Sequence, residues 1–233
     1  DPAHLDPNDM ASRVHYQATR QIYETLFIYD ENYEIIPWLC ESYEYENDET
    51  IILHLRKDVK FHNGDDFKAS DVLFTFKRIL DNQLNASKNI SKILLDQCVA
   101  LDDHTLKIVT DGPVATQIAN LEHPSTAILN ERAYVESGGD WLKGACVGTG
   151  PYKLVSFSPG DQLELEAHEN YWRSGEPGIK KVVMRVVSDS TSRAIEAEIG
   201  GADLVYEIPP KDVSRIQAAE GVELLSEPGT NTS

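Results

Sequence analysis

The sequence lacks the features that mark several large classes of protein. None of its 233 residues belongs to a run of eighteen apolar side chains, so no segment fits a membrane-spanning helix. Basic residues are few, because 21 Lys and Arg face 39 Asp and Glu, which gives a formal net charge of -18. Nucleic acids and anionic membrane surfaces attract basic proteins, so this balance argues against both as partners. We attribute the acidic excess mainly to solubility, with steering of a cationic ligand as the alternative.

Cysteine is also scarce. The three cysteines, Cys40, Cys98 and Cys146, form no Cys-x-x-Cys pair, which argues against a zinc knuckle. Cys98 with Cys146 is the one disulfide that an oxidising compartment makes worth testing. Buried free thiols are the interpretation that we favour.

Motifs of catalysis and metal binding are missing as well. The sequence contains no Gly-x-Ser-x-Gly, His-Glu-x-x-His or Walker motif, and none of its seven histidines lies four residues from another. Glu164 and Glu166 flank Leu165 in a pattern typical of a half-solvated strand rather than a glycosidase pair. Gly148-Thr149-Gly150 is a lone Gly-x-Gly, which indicates a tight approach to a strand. We therefore expect no enzyme activity, no cofactor and no metal site.

The segment 50–80 carries the clearest structural signal. Ile51, Leu53 and Leu55 alternate with other residues, as in a strand with one face on a core. His62-Asn63-Gly64-Asp65 follows with residues that suit a tight turn. Ser70 and Asp71 then precede an apolar stripe, which predicts a helix that they cap.

The rest of the chain alternates between strand and helix patterns, which predicts an α/β fold. The first half is predicted to hold a helix from about Ala11, a strand around 25–28, a strand around 105–110 and a helix from near Pro113. The second half is predicted to hold a hairpin (152–157 and 163–167), a strand at 181–187, a helix capped by Asp189-Ser190, strands at 204–208 and 222–225, and a helix opened by Pro209-Pro210.

Several segments resemble one family. The run Leu55-Arg56-Lys57-Asp58-Val59-Lys60-Phe61-His62-Asn63-Gly64-Asp65-Asp66-Phe67, with Ala69-Ser70-Asp71-Val72 after it, is similar to the signature region of extracellular solute-binding proteins, family 5. These proteins serve ABC importers of peptides and nickel. Cys40 departs from the Ala or Gly that the family usually has. Further matches follow in order: Leu5-Asp6-Pro7, Tyr23-Glu24-Thr25-Leu26-Phe27, 148–154, Asn170-Tyr171-Trp172 and 192–203.

The resemblance implies a periplasmic-binding-protein-like fold (type II, cluster C). Residues 1–30 and 147–233 are then expected to form the core of the first lobe, with 31–146 as an inserted αβ subdomain. The second lobe is expected to be missing from this chain, together with a signal peptide and any lipid anchor.

The same resemblance implies a function. The protein is expected to be the substrate-binding component of an ABC importer, which captures extended peptides outside the cell and delivers them to permease subunits in the membrane. We expect a monomer, periplasmic or held at the cell surface as a lipoprotein. Nickel-chelate or oligosaccharide binding by the same fold, or a peptide-sensing receptor or chaperone, are the alternatives.

The family motif places ligand-binding residues at two points. Glu24, Thr25 and Leu26 occupy its first-lobe edge strand, where the Glu24 carboxylate could pair with a cationic group of the ligand. The alternative is an exposed charge that protects a strand edge from aggregation. Thr230, Asn231 and Thr232 fall where the chain enters the hinge, and ordinary linker composition is their alternative.

Four aromatic residues lie close together in the sequence shortly after Glu24, Thr25 and Leu26. We interpret Tyr33, Trp38, Tyr43 and Tyr45 as core and strand packing rather than as a binding cage.

Overall fold

The computed structural model describes residues 4–9, 12–113 and 115–225. Its helices are α1 (Arg13–Thr19), α2 (Ala69–Asp81), α3 (Ser87–Ile90), α4 (Ala115–Asn120), α5 (Glu131–Glu136), α6 (Ser190–Glu198) and α7 (Val213–Gln217). Its strands are β1 (Phe27–Tyr29), β2 (Ile35–Pro37), β3 (Cys40–Asn47), β4 (Thr50–Leu55), β5 (Val99–Asp102), β6 (Thr105–Val109), β7 (Tyr152–Ser158), β8 (Gln162–Ala167) and β9 (Lys181–Arg185). Within the described ranges, no helix has both the length and the apolar character needed to cross a bilayer.

The strands form three sheets, and the α/β class is confirmed. β1 and β2 make a two-stranded antiparallel sheet in which Phe27 lies opposite Pro37. A four-stranded sheet has the order β3-β4-β6-β5, and a three-stranded sheet has the order β7-β8-β9. β7 and β8 form the predicted antiparallel hairpin, and the cross-strand neighbours Lys153 and Glu166 make an ion pair of 3.1 Å on its solvated face.

The strand–turn–helix predicted for 50–80 is confirmed, with one correction at its cap. Ile51, Leu53 and Leu55 are buried on one face of β4, as their alternation predicts. Helix α2 begins at Ala69, so Ser70 lies inside the first turn and does not cap it. Asp71 acts instead from the third helical position, where its Oδ2 accepts a hydrogen bond of 3.0 Å from the Lys68 amide.

The chain divides into two compact units, one ending at Met184 and the other beginning at Arg185. The first unit holds two apolar clusters. Leu26, Leu53 and Phe76 belong to the cluster between the four-stranded sheet and α2, and Leu5 and Leu165 to the other. The division into lobe core and inserted subdomain stays a prediction.

The second unit confirms its predicted helices but not its predicted strands. Asp189 caps α6 by accepting a hydrogen bond of 2.7 Å from the Ser192 amide, and a 3-10 turn at Pro210–Asp212 leads into α7. Residues 204–208 and 222–225 form no strand, so both strand predictions are wrong. A strand needs a hydrogen-bonded neighbour, and in the part of the chain described here neither segment has one.

The thiols are free in this structure. Cys40 and Cys146 are buried, which confirms the favoured interpretation for both, and Cys98 is half-buried. Burial raises the pKa of Cys40 and Cys146 to about 12.

Candidate functional site

A concave surface lies beside β1 in the first unit, and it encloses a volume of about 480 Å³. Aromatic rings and charged side chains line it together, the mixture expected of a ligand pocket. Its lining includes Glu24, Thr25, Tyr29, Tyr33, Trp38 and Tyr171.

The turn between β1 and β2 shapes one rim of this surface. Asp30 Oδ1 accepts hydrogen bonds of 2.8 Å from the amides of Asn32 and Glu34, which closes the turn. Tyr33 adopts φ 61°, a left-handed conformation that is uncommon for residues other than glycine. It is 79% exposed to solvent. In the described residues β1 pairs with β2 alone, so the sheet has two strands and two edges.

Glu24 lies at the floor of the surface, where three aromatic side chains donate to its carboxylate. Trp38 Nε1 and the Tyr171 hydroxyl each lie 2.7 Å from Oε1, and Trp172 Nε1 lies 3.2 Å from Oε2. Burial raises the pKa of the Glu24 carboxyl, and the hydrogen bonds from these donors oppose that rise. Both oxygens of the carboxylate are therefore occupied by hydrogen bonds from these three side chains. We call Trp38, Tyr171 and Trp172 the aromatic wall.

Two arginines stack on the tryptophan rings of the same wall. The rings of Trp38 and Trp172 meet edge to face with centroids 5.1 Å apart. Arg56 Cζ lies 4.4 Å from the centre of the Trp172 ring, and Arg173 Cζ lies 4.7 Å from that of Trp38. Arg56 Nε also donates to the Trp38 carbonyl at 2.6 Å. Ring and cation–π contacts therefore hold the segment 171–173 against Trp38, which directly follows β2, and against Arg56.

The Gly148-Thr149-Gly150 segment packs behind Glu24. A Cβ on Gly148 would lie 2.0 Å from the carbonyl oxygen of Ile22, so only glycine fits there. The Gly150 amide donates to that same carbonyl at 2.9 Å, just before β7 begins. The motif serves close backbone packing, as its sequence predicts.

The structure places the predicted ligand residues at different depths. Glu24 is only 7% exposed, so the alternative of a surface charge on a strand edge is wrong. Thr25 is buried and its hydroxyl donates to the Phe27 carbonyl at 2.6 Å. Leu26 is 1% exposed and packs in the first apolar cluster. Thr230, Asn231 and Thr232 lie outside the described residues. A ligand contact by any of the six stays a prediction.

Other residues of the surface were missed or misinterpreted from the sequence. Tyr33 is exposed at the rim, so its interpretation as packing is wrong. Tyr43 and Tyr45 do pack on β3, with ring centroids 5.8 Å apart. Tyr171 and Trp172 stand out in the sequence as adjacent aromatic hydrogen-bond donors, a signal that they need a buried acceptor.

Two histidines contact each other near the site, of which His168 is buried and His62 half-buried. His62 Nε2 lies 2.9 Å from the Gly150 carbonyl, and its ring meets that of His168 edge to face at 4.9 Å. Within the described ranges, no three His, Cys, Asp or Glu side chains converge so as to hold a metal ion.

Comparisons with known proteins agree on one family. The model of bacterial extracellular solute-binding proteins, family 5, matches residues 34–233. The glutathione-binding protein GsiB of Pectobacterium atrosepticum is 30% identical over 227 residues, which cover 96% of this chain and 44% of GsiB. The chain thus spans less than half the length of this relative.

Solved structures show the same likeness. DppA of Helicobacter pylori, solved with the peptide STSA, is 28% identical at a TM-score of 0.84, over 92% of this chain and 46% of DppA. A nickel ABC transporter protein of Bacillus halodurans is 34% identical at a TM-score of 0.79, over 94% of this chain and 43% of its own.

Proposed function

The chain belongs to family 5 of the bacterial extracellular solute-binding proteins, and from that premise we propose that it forms one wall of a peptide-binding cleft. The observation that carries the proposal is the concave surface beside β1, a strand with one partner in the described residues. An extended peptide can add to such a strand edge through its main chain. Main-chain hydrogen bonds tolerate many side chains, which suits a carrier of varied peptides.

Each predicted residue has a place in this proposal. Thr25 lies at the floor beside β1, and Tyr33 offers an exposed ring at the rim. Glu24 contributes to binding by fixing Tyr171 and Trp172, because its oxygens already accept their hydrogen bonds. Leu26 supports the floor from the core. Thr230, Asn231 and Thr232 are proposed as further polar contacts.

The wider role follows from the family. We propose that the full-length protein closes around its peptide outside the cytoplasmic membrane and hands it, as a monomer, to ABC permease subunits. The likeness to GsiB, named for glutathione, and to DppA, solved with a peptide, supports a peptide as ligand. The 34% identity to the nickel transporter protein makes a nickel chelate the second candidate.

Native mass spectrometry of the full-length protein, purified without an unfolding step, separates these candidates. We expect a ladder of co-purified masses that match short peptides. A single nickel-bearing mass would overturn the peptide proposal in favour of the second candidate. Small-angle scattering with added peptide should also show compaction, and no compaction with any peptide would contradict closure.

A pair of tyrosine variants tests whether this surface is the one that binds. Tyr33→Ala removes a ring that lines the concavity, whereas Tyr45→Ala removes a half-exposed ring on β3 outside it. By calorimetry, we expect Tyr33→Ala to weaken peptide binding about tenfold and Tyr45→Ala to change it less than twofold. Equal effects of the two variants would place the peptide elsewhere.

A further inference from the structure

We propose that Asp30, with the rings of Tyr29 and Tyr33, forms a subsite for a positively charged group of the bound peptide. This inference rests on the proposed peptide-binding function and names the ligand chemistry that one rim of the cleft selects. All three side chains line the same concave surface. The two aromatic residues are 46% and 79% exposed, so their rings are open to a ligand.

The turn that holds Asp30 also keeps it charged. Its Oδ1 accepts hydrogen bonds from two amides, those of Asn32 and Glu34. The bond from Glu34 is the main cause that lowers the pKa of the Asp30 carboxyl below its ordinary value. The carboxylate is therefore ionised at neutral pH. Its Oδ2 accepts one long hydrogen bond of 3.5 Å, from the side-chain amide of Asn32.

Both arginines of this surface are already paired with carboxylates, and Glu24 accepts its hydrogen bonds from neutral aromatic donors. Arg20 pairs with Glu122 at 3.3 Å, and Arg173 pairs with Glu176 at 3.0 Å. The hydrogen bonds to Asp30 come from Asn32 and Glu34, and none of the ion pairs found among the described side chains involves it. The surface thus has a local negative charge at the rim where the two tyrosine rings stand.

A carboxylate beside aromatic faces suits an ammonium or guanidinium group. The carboxylate offers a charge-assisted hydrogen bond, and the ring faces attract cations through their quadrupoles. An apolar or acidic group at the same place would leave Asp30 desolvated without a partner once the cleft closes. The subsite therefore selects cationic groups both by attraction and by penalising their replacements.

Two substitutions separate recognition from the structural role of Asp30 in its turn. Asp30→Asn keeps an oxygen that accepts the amide hydrogen bonds but removes the charge. Asp102→Asn is the matched control, because Asp102 Oδ1 accepts from the amide of His104 at 2.7 Å in a turn of the same kind that does not line the concavity.

Calorimetry on the full-length protein provides the test, with lysine or norleucine placed in turn at each position of trialanine. Norleucine keeps the four-carbon stem of the lysine side chain and lacks its ammonium group. We expect at least one lysine peptide to bind about tenfold tighter than its norleucine partner. Asp30→Asn should reduce that ratio to about twofold or less, and Asp102→Asn should leave it unchanged.

The source of the charge is decided by a parallel series with acetylated amino termini. If Asp30→Asn instead removes the preference for a free over an acetylated terminus, the bound cation is the terminal ammonium. The proposal is overturned if Asp30→Asn keeps both preferences, or if the unmodified protein shows neither. Failure of every peptide to bind would overturn the peptide-binding function as well, which distinguishes the two results.

Discussion

Glu24 and Tyr171, which are 147 residues apart in the sequence, are joined by a hydrogen bond of 2.7 Å from the tyrosine hydroxyl to Oε1. This contact ties the segment after β8 to the segment that precedes β1. Trp38 shares the same oxygen at 2.7 Å. One buried carboxylate therefore organises the aromatic wall of the concave surface.

Removing this carboxylate should destabilise the protein. Glu24→Ala leaves the buried donors of Trp38, Tyr171 and Trp172 without their acceptor, and each such loss costs about 1–3 kcal/mol. We expect the free energy of unfolding to fall by about 2 kcal/mol or more in urea titrations. Glu136→Ala, at the exposed end of α5, should change it by less than about 0.5 kcal/mol. Similar losses for both variants would contradict the anchoring role.

The His62 imidazole should make stability depend on pH. Burial lowers its pKa to about 3, whereas the unfolded chain has the ordinary value near 6.5. Between these values the unfolded state binds a proton that the folded state does not. The contribution of His62 is therefore complete above pH 6.5 and declines by about 1.4 kcal/mol per unit as pH falls towards 3.

A variant comparison isolates that contribution from other titrating groups. Urea unfolding between pH 7.5 and 5 should give a shallower decline for His62→Gln than for the unmodified protein. His54→Gln, whose side chain is 43% exposed on β4, should keep the original slope. An unchanged slope in His62→Gln would show that its proton is not linked to folding.

Gly148 should tolerate no side chain. The Cβ of Gly148→Ala would lie 2.0 Å from the Ile22 carbonyl oxygen, and the backbone has to move to relieve the clash. We expect a loss of at least about 2 kcal/mol, seen as a lower Tm in calorimetric scans. Gly178→Ala, where nothing lies within 4 Å of the added carbon, should be neutral within about 1 kcal/mol. An unaltered Tm for Gly148→Ala would contradict this close packing.

The buried thiols should be chemically inert. Cys40 and Cys146 are buried, and burial raises the pKa of each to about 12, so almost no thiolate forms at pH 8. Iodoacetamide at pH 8 should leave both unmodified in the folded protein and alkylate both in guanidinium, as followed by peptide mass mapping. Rapid labelling of either residue in the folded state would show that its site opens.

Local patterns predicted the elements that local chemistry governs. The alternation in β4 and the stripe of α2 each match the repeat of a single element, so both are found within a residue or two. The sequence does not show which residue begins α2, because Ser70 and Asp71 are both good capping residues. Only the backbone geometry decides that Asp71 reaches back to Lys68.

Patterns that need a distant partner were less informative. Residues 204–208 are mostly apolar, as in a short strand, yet no strand of the described chain pairs with them. The motif 170–172 was recognisable and its aromatic donors need a buried acceptor, but the sequence does not identify that acceptor as Glu24, which lies 147 residues from Tyr171.

The sequence by itself determined the family, the α/β class and most helices and strands, because these depend on motifs and periodicities within short windows. Only the tertiary structure decided that Glu24 is a buried anchor, that Leu26 belongs to the core and that Tyr33 stands exposed beside Asp30. Burial and hydrogen-bond partners depend on residues far apart in the chain. Their positions follow from how sheets and loops pack together, which no short window of sequence contains.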